Sequence, residues 1–221
     1  MPGAIYLAMG PSGAGKDTLL LGARSALASA GDETVTFIKR NITRAADSTT
    51  DIETSVTAES FEAAEAAGEH ALSWAAHETR YAIPAATLDA ALASGKRCLL
   101  NVSRTTVEAA RAYGKARDAD VYALYITCGE AELKRRLLAR GREDEAAVDA
   151  RLARSRGKDM VPSGEHVLTV MNEGGVEVGV DFVRRLLLGE PEAIAHAGAR
   201  QYQESGGGRR AVKITLHGEG V

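Results

Sequence analysis

Residues 9–20 read "MGPSGAGKDTLL", from Met9 to Leu20. Gly10 to Lys16 fit G-x-x-x-x-G-K. They follow a short apolar run, Ala4 to Met9, and open a segment, Lys16 to Ala30, with apolar residues at helical spacing. Strand, glycine loop and helix in this order place backbone N–H groups, here those of Ser12 to Asp17, around one anion. The start of the helix adds positive potential. Gly10, Pro11, Ser12, Gly13, Ala14 and Gly15 form the cradle, and Lys16 reaches the β and γ oxygens of a nucleotide. The competing reading is a glycine-rich turn with an exposed lysine. Asp17 departs from the usual Ser or Thr: its carboxylate can ligate Mg2+ directly, orient a metal-bound water, or sit in the first helical turn, where acids are favoured. Thr18 is the neighbouring hydroxyl candidate.

Outward from this stretch, "ETVTFIK" (33–39), "KRCLLNV" (96–102), "DVYALYIT" (120–127) and "HVLTVMN" (166–172) have the apolar and β-branched content of further strands. Helical patterns lie between and after them at 84–95, 105–116, 130–141, 144–156 and 176–189. The alternation predicts an α/β domain, a parallel five-stranded sheet with helices on both faces. Residues 41–82 break it with polar, Thr-rich and Ala/Glu-rich sequence and no strong strand pattern before "ALSWAAH" (71–77), which predicts a small projecting insertion. "RGRED" (140–144) is a charged break between two helices. Beyond Gly189 the chain turns Gly-, Ala- and Arg-rich, with "AVKITLHG" (211–218) as one further candidate strand.

The bulk composition excludes several classes. The 221 residues carry a formal net charge of -3. Binding of anions therefore rests on local arginines, and bulk nucleic-acid binding is disfavoured. Two cysteines, Cys98 and Cys128, lie in or at the end of apolar runs and read as reduced core thiols. No stretch approaches the roughly 20 apolar residues of a membrane span, and the N-terminal apolar run is too short for a signal peptide. The expectation is a cytoplasmic protein with no membrane partner; a homodimer is compatible with the sequence.

Arginines cluster at three places. Arg40 and Arg44 lie in "KRNITR", Arg104 closes "NVSR" at the end of a strand, where ligands of open α/β sheets bind, and six more surround the charged break. Arg151 and Arg154 are three apart and share a helix face, while Arg140 and Arg142 flank Gly141 at a hinge, the pattern of a closing lid. Arg135 and Arg136 read instead as a solvated face paired with nearby acids. A kinase with an anionic acceptor needs such cations on both substrates. It needs no general base if the acceptor is a phosphate monoester, whose second pKa is about 6.

Taken together, "GPSGAGKD", "ITR", "LSWAAH", "YAIP", "NVSR" and "RGRE" with "ARLARS" resemble the guanylate-kinase-like branch of the P-loop nucleoside monophosphate kinases, and more closely its ribose 1,5-bisphosphate phosphokinases. The resemblance spans about residues 4–188 and implies a P-loop fold with an acceptor-binding insertion at 41–82 and a lid at about 138–156. Residues 1–189 would form the kinase domain and 190–221 an extension without assigned role. Guanylate kinases read guanine with a Ser before "TTR" and a Glu before the Trp; the matching positions here are Arg40 and Ser73. Their second phosphate-binding Arg falls near Asp47. Arg44 and Tyr81 keep the places of acceptor-phosphate ligands. An extra arginine in place of a base reader suits a second phosphate. The resemblance thus implies ATP and Mg2+, with Lys16, Asp17, Arg142 and Arg151 as catalytic groups. Thr18, Arg140 and Asn172 join the glycine loop on the donor; Arg40, Thr43, Arg44, Ser73, Tyr81, Ser103, Arg104 and Arg154 meet the acceptor, a phosphorylated sugar. The alternatives are another nucleoside monophosphate kinase such as guanylate kinase, or an inactive binding module of the same fold.

Overall fold

The computed structural model describes residues 3–44, 52–76, 78–141, 144–155, 162, 164 and 166–204, with backbone only at 151, 154, 155 and 199–204. Five strands form the predicted parallel sheet: β1 (Ala4–Met9), β2 (Val35–Ile38), β7 (Arg97–Asn101), β8 (Asp120–Thr127) and β9 (Val167–Met171), in the order β2-β7-β1-β8-β9. Central β1 pairs in parallel with both β7 and β8. Its side chains alternate between two cores, because successive residues of a strand face opposite ways. Ile5, Leu7 and Met9 join one buried cluster, and Tyr6 and Ala8 join the other. The first is roofed by α3 (Ala85–Ala93) and α4 (Val107–Lys115), the second by α1 (Lys16–Ser29) and α7 (Val176–Leu187). Both faces are covered, so β1 reads as an unbroken apolar run.

The insertion holds more structure than its sequence suggests. Strands β3 (Arg40–Ile42), β4 (Glu53–Ser55), β5 (His70–Ala76) and β6 (Thr79–Pro84) form a second sheet in the order β4-β3-β6-β5, accompanied by α2 (Ala58–Ala66). Strands of three residues fall below the length at which alternation is readable, and only β5 stood out in the sequence. Thr57 caps α2 by accepting the Ser60 N–H at 3.1 Å.

After β8, α5 (Glu130–Ala139) and α6 (Glu145–Ser155) share a small apolar cluster of Cys128, Leu133, Leu137, Val148 and Leu152. Gly141, at φ 61°, ends α5 where the hinge was expected. Arg142 lies outside the described residues, as do the side chains of Arg151 and Arg154. In the C-terminal extension, α8 (Pro191–Glu204) buries Ala193, Ile194 and Ala197 in the cluster that holds α1 and α7. It is thus part of the core; the candidate strand at 211–218 lies outside the described residues. Among the described residues no helix is long and apolar enough to cross a membrane.

Two outcomes test this packing. Ile194→Ala should cost about 2–4 kcal/mol in urea unfolding; a loss below about 0.5 kcal/mol would mean that the extension does not belong to the core. Burial pushes the Cys98 thiol up to about 12, so very little thiolate exists near neutrality. Ellman's reagent at pH 8 should leave Cys98 unmodified in the folded protein and label it rapidly in denaturant.

Candidate active site

The reversal from β1 into α1 requires glycine at two points. At Gly10 (φ 141°) an added Cβ would stand 1.9 Å from the Ile126 carbonyl oxygen. At Gly15 (φ 85°) it would stand 2.5 Å from Asn172 Nδ2. That close approach lets Asn172, in the segment after β9, donate to the Ala14 carbonyl at 2.7 Å. Arg136 of α5 donates to the same oxygen at 3.2 Å and to the Asn172 carbonyl at 2.8 Å. The loop is therefore anchored through a carbonyl, and Lys16 Nζ is held at its mouth by the carbonyls of Gly10 (2.8 Å) and Pro11 (3.0 Å).

Arg136 corrects the sequence reading: it lies on the phosphate loop and not on a solvated face. Leu133 and Leu137, one turn apart, share the face of α5 that packs against Gly13, and this orientation carries Arg136 onto the loop. Glu132 fixes the guanidinium by accepting from Arg136 Nε at 2.6 Å, and it also accepts from Arg135. Arg135 and Arg136 together hold the Glu132 carboxyl far down, at about 2. A depressed carboxylate contributes above the ordinary carboxylate range and loses its contribution as pH falls toward about 2, so this clamp stays intact throughout neutral conditions. Thr18, Arg136, Arg140, Asn172 and Gly174 line a cavity of about 570 Å3 beside the loop, large enough for a nucleoside.

On the other side, Arg40 of β3 lies over the Tyr81 ring, 4.8 Å from its centroid, and Tyr81 stacks on Trp74 at 5.3 Å. Arg40 Nε donates to Glu53 Oε1 at 3.0 Å, its Nη2 reaches the same oxygen, and its Nη1 donates to the Asn101 carbonyl at 3.2 Å. Arg44 Nη2 donates to Glu53 Oε2 at 3.1 Å. Asn101, at the end of β7, then donates from Nδ2 to Asp17 Oδ1 at 3.2 Å. Polar contacts thus run unbroken from Arg44 to the phosphate loop.

Of the other expected acceptor residues, Thr43 accepts from the Arg80 N–H at 2.9 Å and ties β3 to β6, while Ser103 caps the short 3-10 helix begun by Arg104. Ser73 does not join the cluster. It pairs in register with Ala82 while Trp74 pairs with Tyr81, so it faces the other side of the sheet, with its hydroxyl 3.3 Å from Glu65 of α2. Sequence reasoning missed Glu53, Asn101 and Arg136. For Asn101 a signal existed, its place at the carboxyl end of a parallel strand. Glu53 in a polar stretch carried none.

No protein-family model matches the chain. A ribose 1,5-bisphosphate phosphokinase of Methylobacterium radiotolerans is 40% identical over 177 residues, which cover 80% of this chain and 93% of that protein. The chain belongs to the ribose 1,5-bisphosphate phosphokinase family. A second member, from Pseudomonas fluorescens, is 40% identical over 155 residues, 70% of this chain and 77% of its own. The guanylate kinase of Anaplasma phagocytophilum superposes with a TM-score of 0.57 at 18% identity, covering 92% of this chain and 95% of its own, which shows the shared fold. The chain is a kinase of guanylate-kinase-like P-loop architecture.

Asn172→Ala should remove one of the two donors to the Ala14 carbonyl and leave Arg136 as the other, costing about 0.5–1.5 kcal/mol. For the kinase this predicts a raised KM for ATP together with a lowered melting temperature. An unchanged KM would show that the loop does not depend on this anchor.

Proposed function

We propose that this kinase transfers the γ-phosphoryl group of ATP to the 1-phosphate of ribose 1,5-bisphosphate, giving 5-phosphoribosyl 1-diphosphate and ADP. A 1-phosphate oxygen attacks the γ-phosphorus, and the bond from that phosphorus to the β-bridging oxygen breaks, its electrons leaving with ADP. The observation that carries the reading is the placement of Arg40 and Arg44 on the insertion, joined through Asn101 to the residue next to Lys16. It supports two anion sites in one frame, as transfer between two phosphorylated reactants requires.

On the donor side, the glycine cradle and Lys16 would hold the ATP phosphates, and the adjacent cavity the nucleoside. Asp17 is an exposed carboxylate steadied by Asn101, and it suits Mg2+, which commonly takes one or two carboxylates with substrate phosphates and water. The absence of a three-ligand cluster among the described residues is compatible with that mode. When bound, Mg2+ neutralises charge shared by the β and γ oxygens. On the acceptor side the strand β5 carries no carboxylate, and Ser73 is turned to the opposite face, so a guanine edge would go unread. Each unpaired polar group costs about 1–3 kcal/mol, or roughly fivefold to somewhat over a hundredfold in selectivity.

A coupled assay of ADP release with ribose 1,5-bisphosphate, GMP, AMP and gluconate separates the readings. Turnover is expected with the bisphosphate alone, and Lys16→Ala should lower it by about a hundredfold or more. Faster turnover with GMP or AMP would replace this reading by a nucleoside monophosphate kinase; no turnover with any acceptor would favour a binding module.

A further inference from the structure

Among the described residues, Glu53 is the one buried carboxylate in the acceptor cluster, its side chain 8% exposed, against 17% for Arg40 and 50% for Arg44. A carboxylate so withdrawn from water persists only if paired, and this one is paired twice: Oε1 with Arg40 and Oε2 with Arg44. Arg40 is correspondingly committed. Its Nε and Nη2 go to Glu53, its Nη1 to the Asn101 carbonyl, and its face to Tyr81. A guanidinium has a fixed planar fork, so fastening its edges fixes its orientation.

From this geometry we propose that Glu53 is a positioning residue for the acceptor: with Arg40 it forms a rigid strut that aims Arg44 at the acceptor phosphate and sets its register against the phosphate loop. Glu53 touches no reacting atom. It acts by spanning two strands, β4 to β3, and by holding Arg40 on the backbone of Asn101, whose side chain holds Asp17. Arg40 then serves the second phosphate by its charge and by the strut, and does not leave Glu53 when the acceptor binds. Two highly charged substrates are kept in register by a fixed lattice of charges, which spares the reorganisation that flexible arginines would need.

The proposal rests on the kinase reading above, and its tests separate the two. In the wild-type kinase, the Arg40 Nε–H resonance, assigned by its loss in Arg40→Lys, should remain slow to exchange when ribose 1,5-bisphosphate and ADP are added. The same holds for inorganic phosphate as a probe that assumes no particular acceptor. Passage of that resonance into rapid solvent exchange would mean that Glu53 releases Arg40, and the strut would be refuted. Glu53→Gln should raise the KM for the acceptor by about tenfold or more and leave the KM for ATP within about twofold, with Glu53→Asp recovering part of the loss. An unchanged acceptor KM, or an equal rise in both constants, would overturn the proposal. If wild-type enzyme turned over GMP instead, the functional reading would fall, and the comparison of variants would be read with GMP. If the Gln variant does not fold, the resonance of the wild-type protein decides.

Discussion

The Ala14 carbonyl is where the donor half of the molecule is fastened. A loop that offers most of its N–H groups to a phosphate has few left for its own structure, here that of Ala14 to the Pro11 carbonyl at 3.3 Å, so it must also be held by other atoms. Here Asn172, in the segment after β9, and Arg136 of α5 both donate to that one oxygen, and Gly15 provides the room for the first. Strand β1, helix α5 and the end of β9 are thereby fixed around a single anion site. The hydrophobic clusters on the two faces of the parallel sheet keep these elements at the required spacing.

The proposed acceptor half is organised by charge compensation. Two arginines share one buried carboxylate, and each of its oxygens serves a different guanidinium. A buried charge with well-formed partners is costly to disturb, which makes such a group a good spacer even where its net contribution to stability is small. Asn101 joins this half to the other, accepting from Arg40 on its carbonyl and donating to Asp17 from its amide. In a protein of formal net charge -3, strong anion sites have to be assembled in this local way.

Elements with long or regular patterns were legible in the sequence. β1, the glycine loop and α1 follow from an apolar run, glycine spacing and helical periodicity, and the five parallel strands from alternation with helices. The sheet inside the predicted insertion was not, since β3 and β4 are three residues each and draw their stability from pairing with β6 and with each other. Nor was the helix of the extension, whose few buried residues, Ala193, Ile194 and Ala197, mean little until a sheet is present to receive them.

By itself, the sequence determined that a glycine cradle follows a strand and that cations are available nearby, local properties of residue type and spacing; that Ser73 stands where guanylate kinases carry a base-reading Glu follows only from the resemblance. Tertiary structure alone decided which groups the arginines meet. Arg136 meets the loop because Leu133 and Leu137 turn α5, and Ser73 faces away because β5 pairs Trp74 with Tyr81. Glu53 meets Arg40 and Arg44 because β3 and β4 lie side by side. Such contacts depend on the rotation of a helix or the register of a strand, set by packing partners distant in the chain.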